Sequence, residues 1–246
     1  MSIDLRLRGG GGVIAGVTYG VAKKTLGEQA YEAIREEILS LRLHPGQTVY
    51  ESDFTRMLNM SRTPVREAVR ALAMERLIEV LPQRGMKVAL ISERQVEETR
   101  FVRESLELAV VRRVAEDVSR DASVRARLER EMARSLQDQR EAAEAGDALQ
   151  FMHADDAFHQ IFLQHFDNET LSAIVAQMRG HLNRVRMLSL FEPERMKRLV
   201  GEHERVAEAV LSGDADKSAE AMHHHLAKLM EDLPGIKARH PAFFGP

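Results

Sequence analysis

From Lys24 to Leu233 the apolar residues of this chain recur at a helical period, interrupted once by alternation. Leu26, Ala30, Ile34, Ile38 and Leu41 step at three to four residues until His44-Pro45-Gly46 stops the run, which predicts a helix over 24–43. Glu51 to Leu58 predicts a second, short helix with Phe54, Met57 and Leu58 as its apolar face. Asn59-Met60 then makes a tight break, since asparagine tolerates the left-handed conformation. A third helix opens with Thr63 as cap and Pro64 at the first helical position, where a missing N–H costs nothing. Its Val65, Ala68, Val69 and Leu72 face inward. Leu77–Leu81 and Met86–Leu90 read as two strands around a turn at Pro82-Gln83-Arg84-Gly85.

Ser92 is a candidate cap, and everything from Glu93 onward is helical in period. Breaks at Gly146-Asp147, Asp167-Asn168, Glu192-Pro193 and Gly213-Asp214 divide it into six helices, near 93–118, 122–145, 147–167, 169–191, 193–212 and 214–232. The tail over 234–246, with three prolines, is expected to pack loosely. Residues 1–25 carry Gly9-Gly10-Gly11-Gly12 and an apolar Val13 to Val21. Asp4 and the glycine run argue against a signal peptide, and no strand precedes the glycines as a nucleotide loop requires. A flexible extension is expected there.

The fold class is therefore mostly α, with a helix-turn-helix and a hairpin wing over 26–91 followed by an all-α six-helix bundle over 92–233. Arg62, Arg66 and Arg70 recur every fourth residue on the face of the third helix opposite its apolar side. Such a stripe alone also suits a solvated surface helix. Preceded by a short helix and a turn, and followed by a wing with Arg84 and Gly85 at its tip, it suits insertion into the DNA major groove.

Composition narrows the surroundings. The 246 residues suffice for two modest domains, and a net charge of −3 means that DNA must be met by a local basic patch. Absence of cysteine excludes disulfides and thiolate metal sites. No apolar run approaches the roughly 18 residues of a membrane span, so a cytoplasmic protein without membrane partners is expected.

Candidate chemistry lies on the helical faces. Phe151, Phe158, Phe162 and Phe166 define the apolar side of the 147–167 helix, yet Asp155 projects into it with His159 one turn later, while Asp156 points away. An isolated buried carboxylate costs several kcal/mol unless paired, protonated or bound to a cation. His203 sits at the centre of the next buried face, among Leu199, Val200, Val206, Ala207 and Val210. On the last helix His224 faces outward, and His223 and His225 flank the apolar stripe equally. Each histidine alone is more often a satisfied core residue. One carboxylate and three imidazoles together suit a divalent transition metal, Zn²⁺, Mn²⁺, Ni²⁺ or Fe²⁺. Arg103 is also misplaced, within the apolar stripe of Val96, Leu106, Val110 and Val114. It suits either a buried ion pair with Glu107 or a two-bonded clamp on a ligand carboxylate.

Residues 26–91 resemble the winged helix-turn-helix of GntR-family bacterial transcription regulators, on Leu43-His44-Pro45-Gly46, Glu51, Ser61-Arg62-Thr63-Pro64-Val65-Arg66-Glu67-Ala68 and the Arg84-Gly85 wing tip. The Ser-Arg-Thr-Pro-Val-Arg-Glu run points to the FadR-like branch. This resemblance implies DNA contacts by Ser61, Arg62, Thr63, Arg66, Arg70, Arg84 and Gly85. Asn59 stands where that family usually has glycine, as does Arg76 at the end of the recognition helix. An arginine in a left-handed cap would cost about 1 kcal/mol, so a different helix end is expected.

The second domain is similar to the FCD effector-binding domain. Asp155-Asp156-Ala157-Phe158-His159, Glu202-His203 and the His223-His224-His225-Leu226 run match the motifs of its metal-binding members. The resemblance implies Asp155, His159, His203 and His225 as ligands, with His225 preferred over His223 on the motif alone. It also implies that Arg103, in Arg103-Glu104-Ser105-Leu106-Glu107, approaches the metal pocket. The expected function is a dimeric regulator, most often a repressor in this family. It would bind a pseudo-palindromic double-stranded operator under control of a small carboxylate effector. Two other readings stand beside it. One is a carboxylate-bridged metalloenzyme, from Asp156-x-x-His159 and Glu220-x-x-His223; the other is a purely structural metal.

Overall fold

A computed structural model describes residues 24–245, apart from the side chains of Arg179 and Pro193. The extension expected over 1–25 lies outside the described residues except for Lys24 and Thr25. Thr25 opens α1 (Leu26–Leu39) with a capping box: its hydroxyl accepts from Glu28 N–H, and Glu28 accepts from Thr25 N–H. The helix ends before the expected 43. Leu41 adopts φ 62° and turns its buried side chain toward the helical bundle. A two-residue strand, β1 (Thr48–Val49), follows that the sequence pattern did not predict.

Helix α2 (Glu51–Leu58) has the expected bounds, and Asn59 takes the left-handed conformation at φ 51°. Only Phe54 of its apolar face is buried, and Met57 is exposed. Helix α3 (Arg62–Met74) starts before Thr63, with Ser61 in the cap position and no side-chain cap bond. Pro64 therefore sits third in the helix, still within the first turn whose N–H groups lack helical partners.

The helix ends with Arg76 in the left-handed position (φ 57°) despite its side chain, against expectation. Leu77 N–H bonds Leu72 C=O at 2.9 Å and Arg76 N–H bonds Ala73 C=O at 3.0 Å. Leu72 and Leu77 are both buried in the winged core. This is a Schellman closure, whose bonds and apolar contact offset the left-handed cost.

Strands β2 (Ile78–Leu81) and β3 (Gly85–Val88) form the wing and pair antiparallel, with Leu81 opposite Gly85. The sheet order is β1-β3-β2. Gly85 has φ 89°, and a Cβ there would lie 2.8 Å from the Tyr50 ring, so both conformation and space require glycine.

The bundle comprises α4 (Glu93–Arg120), α5 (Ala122–Ala145), α6 (Ala148–Phe166), α7 (Glu169–Leu190), α8 (Pro193–Ser212) and α9 (Ala215–Arg239). Helix α4 packs against all five others. Ser92, Asp121, Asp147, Asn168 and Asp214 accept hydrogen bonds from the first-turn N–H groups of α4, α5, α6, α7 and α9. Phe151, Phe158 and Phe162 are buried, while Phe166 at the helix end is partly exposed.

The tail is not loose. Helix α9 runs through Pro234, and burial of Leu233 and Ile236 holds the turn that proline weakens. Beyond a 3-10 turn at Pro241–Phe243, Phe244 is buried beside Ile91. Ile91 N–H donates to Phe243 C=O at 2.8 Å and Gly245 N–H to Ile91 C=O at 2.9 Å. The C-terminus thus straps the short connection between wing and α4. No helix among the described residues is long and apolar enough to cross a membrane.

Candidate functional site

Helices α6, α8 and α9 bring His159, His203 and His225 together in the bundle interior, with all three buried. His203 Nε2 lies 3.2 Å from His225 Nε2, which lies 3.3 Å from His159 Nε2. The far nitrogen of each ring faces an acceptor. His203 Nδ1–H donates to Gln139 Oε1 at 2.6 Å and His225 Nδ1–H to Glu202 Oε2 at 2.9 Å. His159 Nδ1 lies 2.7 Å from Glu107 Oε2. With Nδ1 carrying the proton, each Nε2 presents a lone pair to the others. Three convergent lone pairs repel unless a cation lies among them, and ring nitrogens oriented by outer acceptors are the usual support of a metal centre. Burial, and next the neighbouring histidine, push His203 and His225 well below the usual imidazole range, so both are neutral. The donor set fits a divalent transition metal.

Asp155 stands beside this cluster. Its Oδ1 is 3.8 Å from His203 Nε2 and its Oδ2 is 3.7 Å from His159 Nε2. Burial alone would raise its carboxyl, but the Arg186 guanidinium beside it holds it well below the usual range. Arg186 contacts Asp155 Oδ2 directly and donates to Asp156 Oδ1 at 2.8 Å and Asn183 Oδ1 at 2.7 Å. Asp156 is therefore tied to α7. The structure also breaks the tie between His223 and His225. His223 is exposed, with Nδ1 2.8 Å from Glu104 Oε1. Of the two histidines in the acid-x-x-His pairs of the metalloenzyme reading, His159 is in the cluster and His223 is not.

A cavity of about 40 Å³ adjoins the cluster, bounded by Asp155, His225 and the arginines Arg100, Arg103, Arg186 and Arg195, with leucine walls. At roughly 10–15 Å³ per ordered water it has room for about three waters. Buried Arg103 forms the ion pair with Glu107 that is one of its two sequence readings. Its Nε donates to Glu107 Oε1 at 2.6 Å, and its Nη2 is buried with no hydrogen-bond partner.

At the other end, Ser61, Arg62, Thr63, Arg66, Arg70 and Arg84 are all exposed, and Gly85 is half-buried at the wing tip. Glu51 at the start of α2 holds two of the arginines, with Oε2 2.7 Å from Arg66 Nε and Oε1 3.6 Å from Arg62 Nε. Both guanidinium groups remain open to solvent.

Residues 26–88 match the model of bacterial regulatory proteins of the gntR family, and residues 98–228, more than half of the chain, match the FCD domain. The chain belongs to the GntR family. This GntR-family protein is 32% identical over 216 residues to an uncharacterized HTH-type transcriptional regulator in an unstable DNA locus of Streptomyces ambofaciens, covering 87% of each chain. It is 30% identical over 217 residues to the HTH-type transcriptional repressor RspR of Escherichia coli (strain K12), covering 88% of this chain and 92% of that one. Its fold is similar to E. coli McbR/YncC, with a TM-score of 0.74 over 89% of this chain and all of that one, at 18% identity. Family and relatives are transcription regulators, not enzymes, which sets aside the metalloenzyme reading.

In this GntR-family regulator, sequence reasoning missed the residues around the cluster. Glu107 and Glu202 carried weak signals, as the turn-mate of Arg103 and the neighbour of His203. Gln139, Arg186 and Arg195 carried none, because only the packing of α5, α7 and α8 shows what they face.

Proposed function

We propose that this regulator represses transcription by binding a pseudo-palindromic operator as a homodimer, and that a small organic acid held beside a bundle metal changes its DNA affinity. The carrying observation is the convergence of three Nε2 lone pairs next to a cavity lined in part by buried Arg103, whose Nη2 has no hydrogen-bond partner. His159, His203, His225 and Asp155 would hold the metal. When bound, it would act as a Lewis acid that attracts a ligand oxygen. Arg103 would orient the carboxylate through its free N–H, while Glu107 holds the guanidinium and faces His159.

DNA contacts are assigned to Arg62, Arg66 and Arg70 with Ser61 and Thr63 on α3, and to Arg84 and Gly85 on the wing. One winged domain offers too little surface for useful specificity, which favours two half-sites. The repressor sign is supported by RspR and by a probable D-xylose utilization operon transcriptional repressor of Paenarthrobacter nicotinovorans, 28% identical over 211 residues. Arg103 lies on α4, which follows the wing through Ile91-Ser92, so a ligand drawn toward it would act on the domain connection. A ligand shifts that equilibrium only through its differential affinity for two arrangements.

Footprinting of DNA upstream of the protein's own gene, with metal-loaded protein and a panel of small acids, tests this. A two-fold symmetric footprint that one of the acids changes is expected. A footprint unchanged by every acid, in protein shown to hold metal, would favour a purely structural metal.

A further inference from the structure

Helix α7 faces two ways. Leu182, Arg186 and Ser189 on one stripe line the cavity beside Asp155. On another stripe His181 and Arg184, three residues apart, reach out of the bundle to the winged domain. Arg184 is fully buried, and its Nη1 donates to the Ala89 carbonyl just beyond β3. Its Nη2 lies 2.7 Å from His181 Nδ1, and His181 Nε2 lies 3.1 Å from the Glu75 carbonyl just beyond α3. A guanidinium only donates, so His181 Nδ1 accepts and His181 Nε2–H must donate to Glu75. The order Arg184, His181, Glu75 is therefore fixed.

Glu75 C=O belongs to the C-terminal end of the recognition helix, where the backbone carries partial negative charge. A buried cation one imidazole away complements it. The second link holds the base of the wing, where Ala89 N–H bonds Leu77 C=O at 3.0 Å. Both DNA-facing elements are thus tied to one turn of α7. Packing of Leu41 and Ile91 into the bundle core, the Arg35 Nη2 bond to Ala176 C=O at 3.2 Å and the approach of His153 Nε2 to Glu36 Oε1 at 3.2 Å also join the domains, but these links run through α1 and the connection and not through the base of the wing.

We propose that His181 and Arg184 are positioning residues for DNA recognition, through which α7 sets the angle of the recognition helix and wing against the bundle. They need no contact with DNA. Coupling to the cavity follows from Arg186 on the opposite stripe, and that part rests on the effector site proposed above.

The test uses the full chain and a duplex selected by the parent protein from a random pool. Its half-site spacing is then altered by one or two base pairs. His181→Leu and Arg184→Met remove the relay, whereas the amide of His181→Gln can accept from Arg184 and donate to Glu75. The parent and His181→Gln should prefer the selected spacing by about tenfold, the size of coupling such networks carry. In the two broken variants that preference should flatten to within about twofold. Hydrogen exchange read on the same four proteins should show faster exchange at 72–78 and 87–91 in the broken variants alone, with α5 and α6 unchanged. Parent-like spacing preference and exchange in His181→Leu would overturn the proposal. So would a broken variant whose whole bundle exchanges faster, since the residues would then serve stability in general. A parent that binds single half-sites as a monomer defeats the dimer reading instead, and the exchange pattern then decides.

Discussion

Glu107 Oε1 accepts a hydrogen bond from Arg103 Nε at 2.6 Å, one turn apart on α4, while Glu107 Oε2 lies 2.7 Å from His159 Nδ1. One carboxylate thus joins the proposed ligand clamp to a proposed metal ligand. Arg103→Ala is expected to leave DNA binding by the ligand-free protein nearly intact and to abolish its response to the organic acid. It should also destabilise the bundle by about 3–5 kcal/mol, because a buried carboxylate loses its partner. Operator affinity against acid concentration, for parent and variant, checks the first point. A variant that responds like the parent would make Arg103 a structural ion-pair residue.

Chelation should lower the melting temperature, since unfolding disperses His159, His203 and His225. At a free metal concentration about 100 times Kd the stabilisation is about 2.7 kcal/mol. His203→Ala should melt at the same temperature with and without chelator. Chelator sensitivity retained by that variant would contradict the ligand set.

On α3, Arg66→Ala should weaken specific DNA binding by about 1–3 kcal/mol if the guanidinium meets a base. Its exposed ion pair with Glu51 contributes little to folding, so thermal stability should hardly change. Unchanged affinity for the selected duplex in a folded variant would remove Arg66 from the recognition face.

Burial first, and then Arg184, hold His181 down to about 4 against an ordinary 6.5. Below about 6.5 the unfolded chain takes up the proton and the folded one does not. Stability from this group is therefore complete above 6.5 and lost as pH falls toward 4, in the limit about 3 kcal/mol. Urea unfolding across that window should show a shallower decline for His181→Gln than for the parent, because both share every other histidine. Equal declines would show that His181 does not stay neutral in the fold.

The sequence was readable where one local cause decided the outcome. Glu51–Leu58 and its Asn59 turn came out at their observed bounds, because asparagine and the apolar spacing agree. The start of α3 did not, since proline is tolerated anywhere in the first turn and Thr63 looks like a cap wherever the helix begins. Arg76 was expected to avoid the left-handed position, but the Leu72–Leu77 contact that favours it forms only on folding. Likewise α9 continues past Pro234 because Leu233 and Ile236 find partners elsewhere in the chain. Among the candidate ligands, the helical period located Asp155, His159 and His203, but it placed His223 and His225 equally. Arg184 and Arg186 are two residues apart on one helix, and only tertiary packing separates the domain link from the cavity wall.

The most direct test is fluorescence anisotropy of a selected operator duplex against the protein in three states: chelated, Zn²⁺-loaded, and Zn²⁺-loaded with each member of a panel of small carboxylic acids. The expected result is two chains per duplex, with at least one acid shifting affinity about 5–150-fold in the Zn²⁺-loaded protein and leaving the chelated protein unaffected. Affinity that is the same in all three states, or an acid response that survives chelation, would contradict a regulator that senses its ligand through the histidine-bound metal.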